Sequence, residues 1–168
     1  MRVSTQGRYV AFFTAVIYCQ YHHRTLEDAV KPVPVNPAAL PTPSGFSHGT
    51  LHGNTLHLAG QTALDRDMRI VAGGIVAQFR QAFGNVLTTL REVGGEPADL
   101  VSITIYLTDI ADYQSHGKEI GKVWREMAGP VYPAMAGIGC TGLWQPDALI
   151  EILGTAVIPD ERLRIPRD

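Results

Sequence analysis

A chain of 168 residues with 45% hydrophobic and 18% charged residues has the size and make-up of one folded domain, which excludes a disordered or low-complexity protein. Lys and Arg number 14 against 16 Asp and Glu, a net charge of -2, so no basic excess points to a nucleic-acid partner. Cys19 and Cys140 lie far apart with no CxxC or Cys/His spacing, which argues against a disulfide framework or a zinc site and fits a reducing, cytoplasmic setting.

Residues 1–33 read as an N-terminal extension. Tyr9 to Cys19 is apolar and follows Arg2 and Arg8, outwardly like the core of a signal peptide. The run is too short to span a bilayer, and Gln20-Tyr21-His22-His23 is no small-residue cleavage site. A packed tail helix, a disordered extension and translation from upstream of the true start all fit, the last two better than export. His22-His23 reads as part of a polar tail before it reads as a metal pair.

Pro32, Pro34, Pro37, Pro41 and Pro43 exclude helix between Lys31 and Ser44 and force an extended lead-in. The domain is expected over 34–160, followed by a solvated tail, 161–168, that carries Arg162, Arg164 and Arg167. Phe46 to His52 and Thr55 to Gln61 flank Gly53-Asn54, a two-residue hairpin turn. That turn sets His52 opposite Thr55, Thr50 opposite His57, His48 opposite Ala59 and Phe46 opposite Gln61. Leu51, Leu56 and Leu58 take the other, apolar side.

Asp65-Arg66-Asp67 turns the chain into an expected short strand over Met68 to Val71. Val76, Phe79, Phe83, Val86, Leu87, Leu90 and Val93 recur at helical steps until Gly94-Gly95 ends them. Val101, Ile103, Ile105 and Leu107 alternate with Ser102, Thr104, Tyr106 and Thr108, the pattern of a half-buried strand. Asp112 is placed to cap a second helix with the stripe Tyr113, Ile120, Val123, Trp124 and Met127, which Gly129-Pro130 closes. Strands about Ala134 to Thr141 and Ala148 to Ile158 follow, joined through Trp144-Gln145-Pro146.

The order β-β-β-α-β-α-β-β makes an α+β fold, with two helices covering one face of a mixed sheet. The other face, with His48, His57, Ser102, Thr104 and Tyr106, is too semipolar for a dry core and too continuous for a random surface. Such a face suits packing against another copy of the sheet. One residue is out of place: Glu151 sits between Ile150 and Ile152 in a buried-strand run, where a carboxylate is costly unless it is paired or neutralised.

Gly45-Phe46, Gly60-Gln61, Gln78 with Asn85, Val101 to Asp109, Tyr132-Pro133-Ala134 and Ile150-Glu151-Ile152 occur in an order and spacing that resembles the RidA (YjgF) family of reactive-intermediate deaminases, from Pro34 to Pro159. The resemblance implies a chorismate-mutase-like fold, a homotrimer, and a small-molecule pocket at each subunit interface. It also implies hydrolysis of 2-imino or enamine acids to 2-keto acids and ammonia, with no metal and no organic cofactor. Carried over residue by residue, the implied catalytic acid or base is Glu151. The implied substrate-binding positions are Phe46, Ala59, Gly60, Gly117, Pro133 and Met135.

Four of these positions depart from the family pattern. Met135 stands where an arginine clamps the substrate carboxylate, Ala59 where a serine stands, Phe46 where a tyrosine stands, and Gly117 near an expected asparagine. Methionine offers neither charge nor donor, and losing a charge-assisted clamp costs about 2–5 kcal/mol, a loss of affinity of roughly thirtyfold to several thousandfold. The implied substrate is therefore an imine, enamine or related carbonyl adduct without a carboxylate, neutral or aromatic.

Two roles fit Glu151: orienting or deprotonating the attacking water, or sitting as a buried acid satisfied by backbone donors at the trimer interface. His48, beside Ala59, could supply polar chemistry to the site, although a histidine tied to neighbouring backbone is the commoner case. His57 and His116 carry weaker forms of the same claim, and a metal site from His48, His52 and His57 is disfavoured by their register. Cys140, one parity off Met135, is expected to face away from the pocket. A ligand-binding or scaffold trimer without catalysis is the alternative function. An endoribonuclease or translation-inhibitor role finds little support in an acidic chain with no basic stripe.

Overall fold

The computed structural model describes residues 31–166, and the readings made for 1–30 and for Arg167 lie outside them. Six strands form one mixed sheet in the order β1-β2-β3-β6-β4-β5. They are β1 (Val33–Val35), β2 (Gly49–His52), β3 (Thr55–Thr62), β4 (Leu100–Leu107), β5 (Ala134–Gly139) and β6 (Ile150–Val157). All neighbours are antiparallel except β4 and β5. Three helices follow the same chain: α1 (Gly74–Glu92), α2 (Ile110–Ser115) and α3 (Gly117–Ala128). No helix among the described residues is long and apolar enough to cross a membrane.

The expected hairpin holds in register, with His52 opposite Thr55 and Thr50 opposite His57. The third strand of the first group is not at Met68 to Val71. That segment contributes one isolated bridge, Leu64 to Ile70, because the Asp65 carboxylate accepts from the Asp67 and Arg69 amides and curls the chain into a tight turn. The missing strand is β1, inside the proline-rich lead-in. Pro34 is tolerated there because β1 is an edge strand and a missing N–H on the outer side breaks no ladder.

The expected second helix is two. Asp109, not Asp112, caps α2, its carboxylate accepting from the Asp112 amide at 3.0 Å. The chain then breaks at His116 before α3 begins. The tail also differs from expectation. Arg162 donates to the Gly94 carbonyl and makes a two-pronged pair with Asp99, and the Arg164 amide donates to the Val93 carbonyl. Residues 162–164 are thereby fastened to the end of α1.

The core lies between the helices and one sheet face. Phe79, Phe83, Val86, Leu87 and Leu90 of α1, with Ile120, Val123 and Trp124 of α3, pack on Leu51, Leu56, Ile103, Ile105, Ile150 and Ile152. Phe83, Trp124 and Tyr132 form a continuous aromatic stack. The face away from the helices carries Thr50, His57, Ser102, Thr104, Tyr106, Glu151, Leu153 and Thr155, none of them buried.

Candidate active site

Two irregularities build the site. Leu58 pairs with Gly154 and Gln61 with Ile152, so Ala59 and Gly60 together oppose Leu153 alone, a bulge in β3. Just there β2 has ended, and the chain before it peels away from β3. A cavity of about 630 Å³ fills the gap. Phe46, His48, Ala59, Gly60 and Glu151 line it, with Pro41, Thr42, Ser44, Thr62, Leu64, Met68, Asn85, Trp144 and Gln145. Five of the eight positions named from sequence are therefore brought together.

Glu151 lies in the sheet between Thr62 on β3 and Tyr106 on β4. Its carboxylate has no hydrogen-bond or ion-pair partner among the described residues. Burial pushes the Glu151 carboxyl above its ordinary value of 4.5. Gly60 makes room for it: a Cβ there would lie 2.8 Å from Glu151 Cδ and overlap Oε1. Among the described residues, neither a lysine nor an arginine lines the cavity.

His48 belongs to the wall. Its Nε2 donates to the Pro41 carbonyl at 2.8 Å, and its Nδ1 lies 3.3 Å from the Gln61 amide oxygen. Its amide donates to Asn36 Oδ1, and its carbonyl accepts from the Ala59 amide. The ring edge faces Phe46, with centroids 5.4 Å apart. The Nε2–H and both backbone groups of His48 are thus engaged in holding the loop against β3, the backbone-tied role. His57 stays exposed on the open face, and His116 pairs with Asp112 at the α2–α3 break.

Two buried amides of α1 hold the edges of the cavity. Gln78 donates to the Asp147 carbonyl and accepts from the Leu149 amide, fixing the chain as it enters β6. Asn85 donates to the Thr62 and Leu64 carbonyls, fixing the end of β3. Both were conspicuous in the sequence, with no role attached.

Gly117, Pro133 and Met135 do not line the cavity. Met135 pairs with Ile103 on the free edge strand β5 and is exposed. Cys140 differs from its expected orientation. It shares a second, shallower groove of about 440 Å³ with Tyr106, Leu153, Trp144 and Glu151, because the even-numbered residues of β5 share a sheet face with Glu151. Trp144, Met68 and Gln145 are the site residues that sequence reasoning missed. Trp144 had a readable sign: an aromatic in a Gly-Leu-Trp-Gln-Pro loop has no strand or helix stripe to join. Met68 had none, since its segment read as strand.

A RutC family protein of Pyrococcus horikoshii is 33% identical over 114 residues, covering 67% of this chain and 86% of its own. Among solved structures, a probable translation initiation inhibitor from Rhodopseudomonas palustris is 30% identical with a TM-score of 0.68, covering 76% of this chain and 98% of its own. RidA from an Antarctic Psychrobacter is 25% identical with a TM-score of 0.65, covering 74% and 98%. The Endoribonuclease L-PSP profile matches residues 37–158, the whole span from the proline-rich lead-in to the end of β6. Hairpin, bulge, acid and helix amides all fall within that span, and the chain belongs to this family, the YjgF/RidA family.

Proposed function

We propose that this protein hydrolyses the carbon–nitrogen bond of an imine, an enamine or a related carbonyl adduct that lacks a carboxylate, in a pocket completed between the subunits of a homotrimer. The observation that carries this reading is Glu151: a half-buried acid that, among the described residues, has no partner and faces a cavity lined by no lysine or arginine.

Burial makes the Glu151 carboxyl hold its proton more tightly than an ordinary carboxylate does, which suits an acid–base role. Protonated Glu151 donates to the imine nitrogen, and its carboxylate takes a proton from the attacking water. The water oxygen bonds to carbon, giving an amino alcohol; Glu151 then passes the hydroxyl proton to the nitrogen, the carbon–nitrogen bond breaks, and ammonia leaves as the carbonyl forms. An ionised substrate carboxylate would find no counter-charge and would stand near an acid of the same sign.

The trimer draws support from the separation of Met135 and Gly117 from the cavity. If those positions belong to one site with Glu151, a neighbouring copy must bring them. The exposed apolar side chains of Val101, Val131, Met135 and Ile138 suit such a contact.

The test is ammonia release from a panel of imines generated in solution, some neutral and some bearing a carboxylate. Neutral imines should be hydrolysed, and Glu151→Gln should slow them about a hundredfold or more, the scale of general acid–base catalysis. Tight binding of the same compounds with no ammonia from either form would overturn catalysis in favour of a ligand-binding trimer.

A further inference from the structure

Phe46, Met68 and Trp144 come from three different connections: the loop before β2, the turn after β3 and the loop between β5 and β6. All three line the Glu151 cavity. All three are also exposed, at 50%, 56% and 91%, although large apolar side chains of the same chain fill the core to near-zero exposure. From this convergence we infer that the substrate carries a flat, uncharged aromatic group, held between Trp144 and Phe46 with Met68 against its edge. The inference rests on the proposed reaction for its carbonyl end and deepens it by naming the group attached to that end.

The backbone at Met68 is a second, independent observation. Met68 adopts φ 62°, and it is the one non-glycine residue with positive φ among those described. A side chain there crowds the following carbonyl and costs about 1–2 kcal/mol. The turn is closed by the Asp65 carboxylate and by the Met68 amide donating to the Asp65 carbonyl, not by the Met68 side chain, so glycine would serve the turn equally well. What methionine adds is a polarisable apolar arm at the cavity rim, suited to the edge of an aromatic ring.

The remaining wall fits the same occupant. Ala59 and Phe46 present no hydroxyl to the cavity, and the polar groups of His48 and Asn85 are already committed to protein partners. Glu151 is left as the ionisable group free among the described residues to meet the reacting centre, while Thr42 and Ser44 keep two hydroxyls on the loop side of the wall. A planar ring stacked on Trp144 gains both burial and face-to-face or edge contact.

The test uses ketones, the product side of the reaction, so that binding is read without turnover. Acetophenone, cyclohexyl methyl ketone and pyruvate are titrated into the full chain by calorimetry and by tryptophan fluorescence. The chain has two tryptophans, and Trp124 is buried in the core, so ligand-induced changes report Trp144. Acetophenone should bind best and pyruvate worst. Trp144→Ala should weaken acetophenone about tenfold, the scale of a lost aromatic contact, while Trp144→Phe keeps most of the affinity.

Should Trp144→Ala alter assembly, Met68→Gly provides the second reading. It relieves backbone crowding, so it should raise the Tm and weaken acetophenone together. Pyruvate binding as tightly as acetophenone, or acetophenone affinity indifferent to both substitutions, would overturn the inference. Acetophenone binding without ammonia release from any aryl imine would leave the inference standing and remove the catalytic reading alone.

Discussion

Gly60 and Glu151 compete for one volume: the place a Cβ would take at residue 60 is filled by the carboxyl group of residue 151. The bulge that doubles Ala59 and Gly60 against Leu153 brings the β3 backbone close enough for this to matter. The glycine is required for side-chain room, since its backbone is not in the left-handed region.

Gly60→Ala should therefore act on chemistry more than on stability. The group it meets is the far end of a flexible side chain, which can rotate away at small cost. The displaced acid would no longer face the cavity. Turnover on a neutral imine is expected to fall at least about a hundredfold, with Tm little changed. Ammonia release and thermal unfolding on one preparation decide it, and an unaltered rate would separate Gly60 from the acid's placement.

The same acid fixes a pH dependence. Burial raises the Glu151 carboxyl above 4.5, so the folded chain holds this proton more tightly than the unfolded chain does. Stability then falls as pH climbs past 4.5, and the loss is complete once pH exceeds the raised value. Glu151→Gln removes that loss. Its Tm should match the native chain in acid and rise above it at neutral pH, as unfolding scans from pH 4 to 8 would record. A gap independent of pH would mean that the carboxyl is not held high.

Gln78 tests the scaffold in place of the chemistry. It is buried on α1, and it both donates to the Asp147 carbonyl and accepts from the Leu149 amide. Gln78→Leu fills similar space but strands two backbone groups, each worth about 1–3 kcal/mol when buried unsatisfied. A loss of about 2–4 kcal/mol is expected in denaturant unfolding, with weaker activity because the entry to β6, two residues before Glu151, is no longer fixed.

What was legible in the sequence followed from periodicity and turn chemistry. The Gly53-Asn54 turn set the hairpin register, and the helical stripe from Phe79 to Leu90 forms the core as read. The misreadings arose where a tertiary partner overrode a local pattern. Pro34 read as part of an extended lead-in with no strand assigned, and pairing at the sheet edge makes a strand of it. Met68 to Val71 looked extended until the Asp65 carboxylate was seen closing the turn. Arg162 read as solvated because its partner, Asp99, lies 63 residues earlier. For the site, Glu151 was visible as an anomaly of pattern and Gly60 through the resemblance. The wall that Met68 and Trp144 build together was not, because it exists only where separate loops meet.

Met135 supplies the sharpest test of assembly. On β5 it pairs with Ile103, a residue of the helix-covered face, while Glu151 lies beside Tyr106 on the opposite face. An arginine at 135 thus points away from the Glu151 of its own chain, and it can serve that acid's cavity only from a neighbouring copy. Met135→Arg should then raise activity on carboxylate-bearing imines by roughly thirtyfold or more, the lower end of a charge-assisted clamp. The decisive arrangement is a mixed assembly. Chains carrying Met135→Arg together with Glu151→Gln, co-expressed with native chains, never hold the arginine and the acid in one molecule. Carboxylate-directed turnover from that mixture, absent from either homogeneous preparation, requires a site shared between subunits. If it stays silent while Met135→Arg alone is active, the shared pocket is wrong.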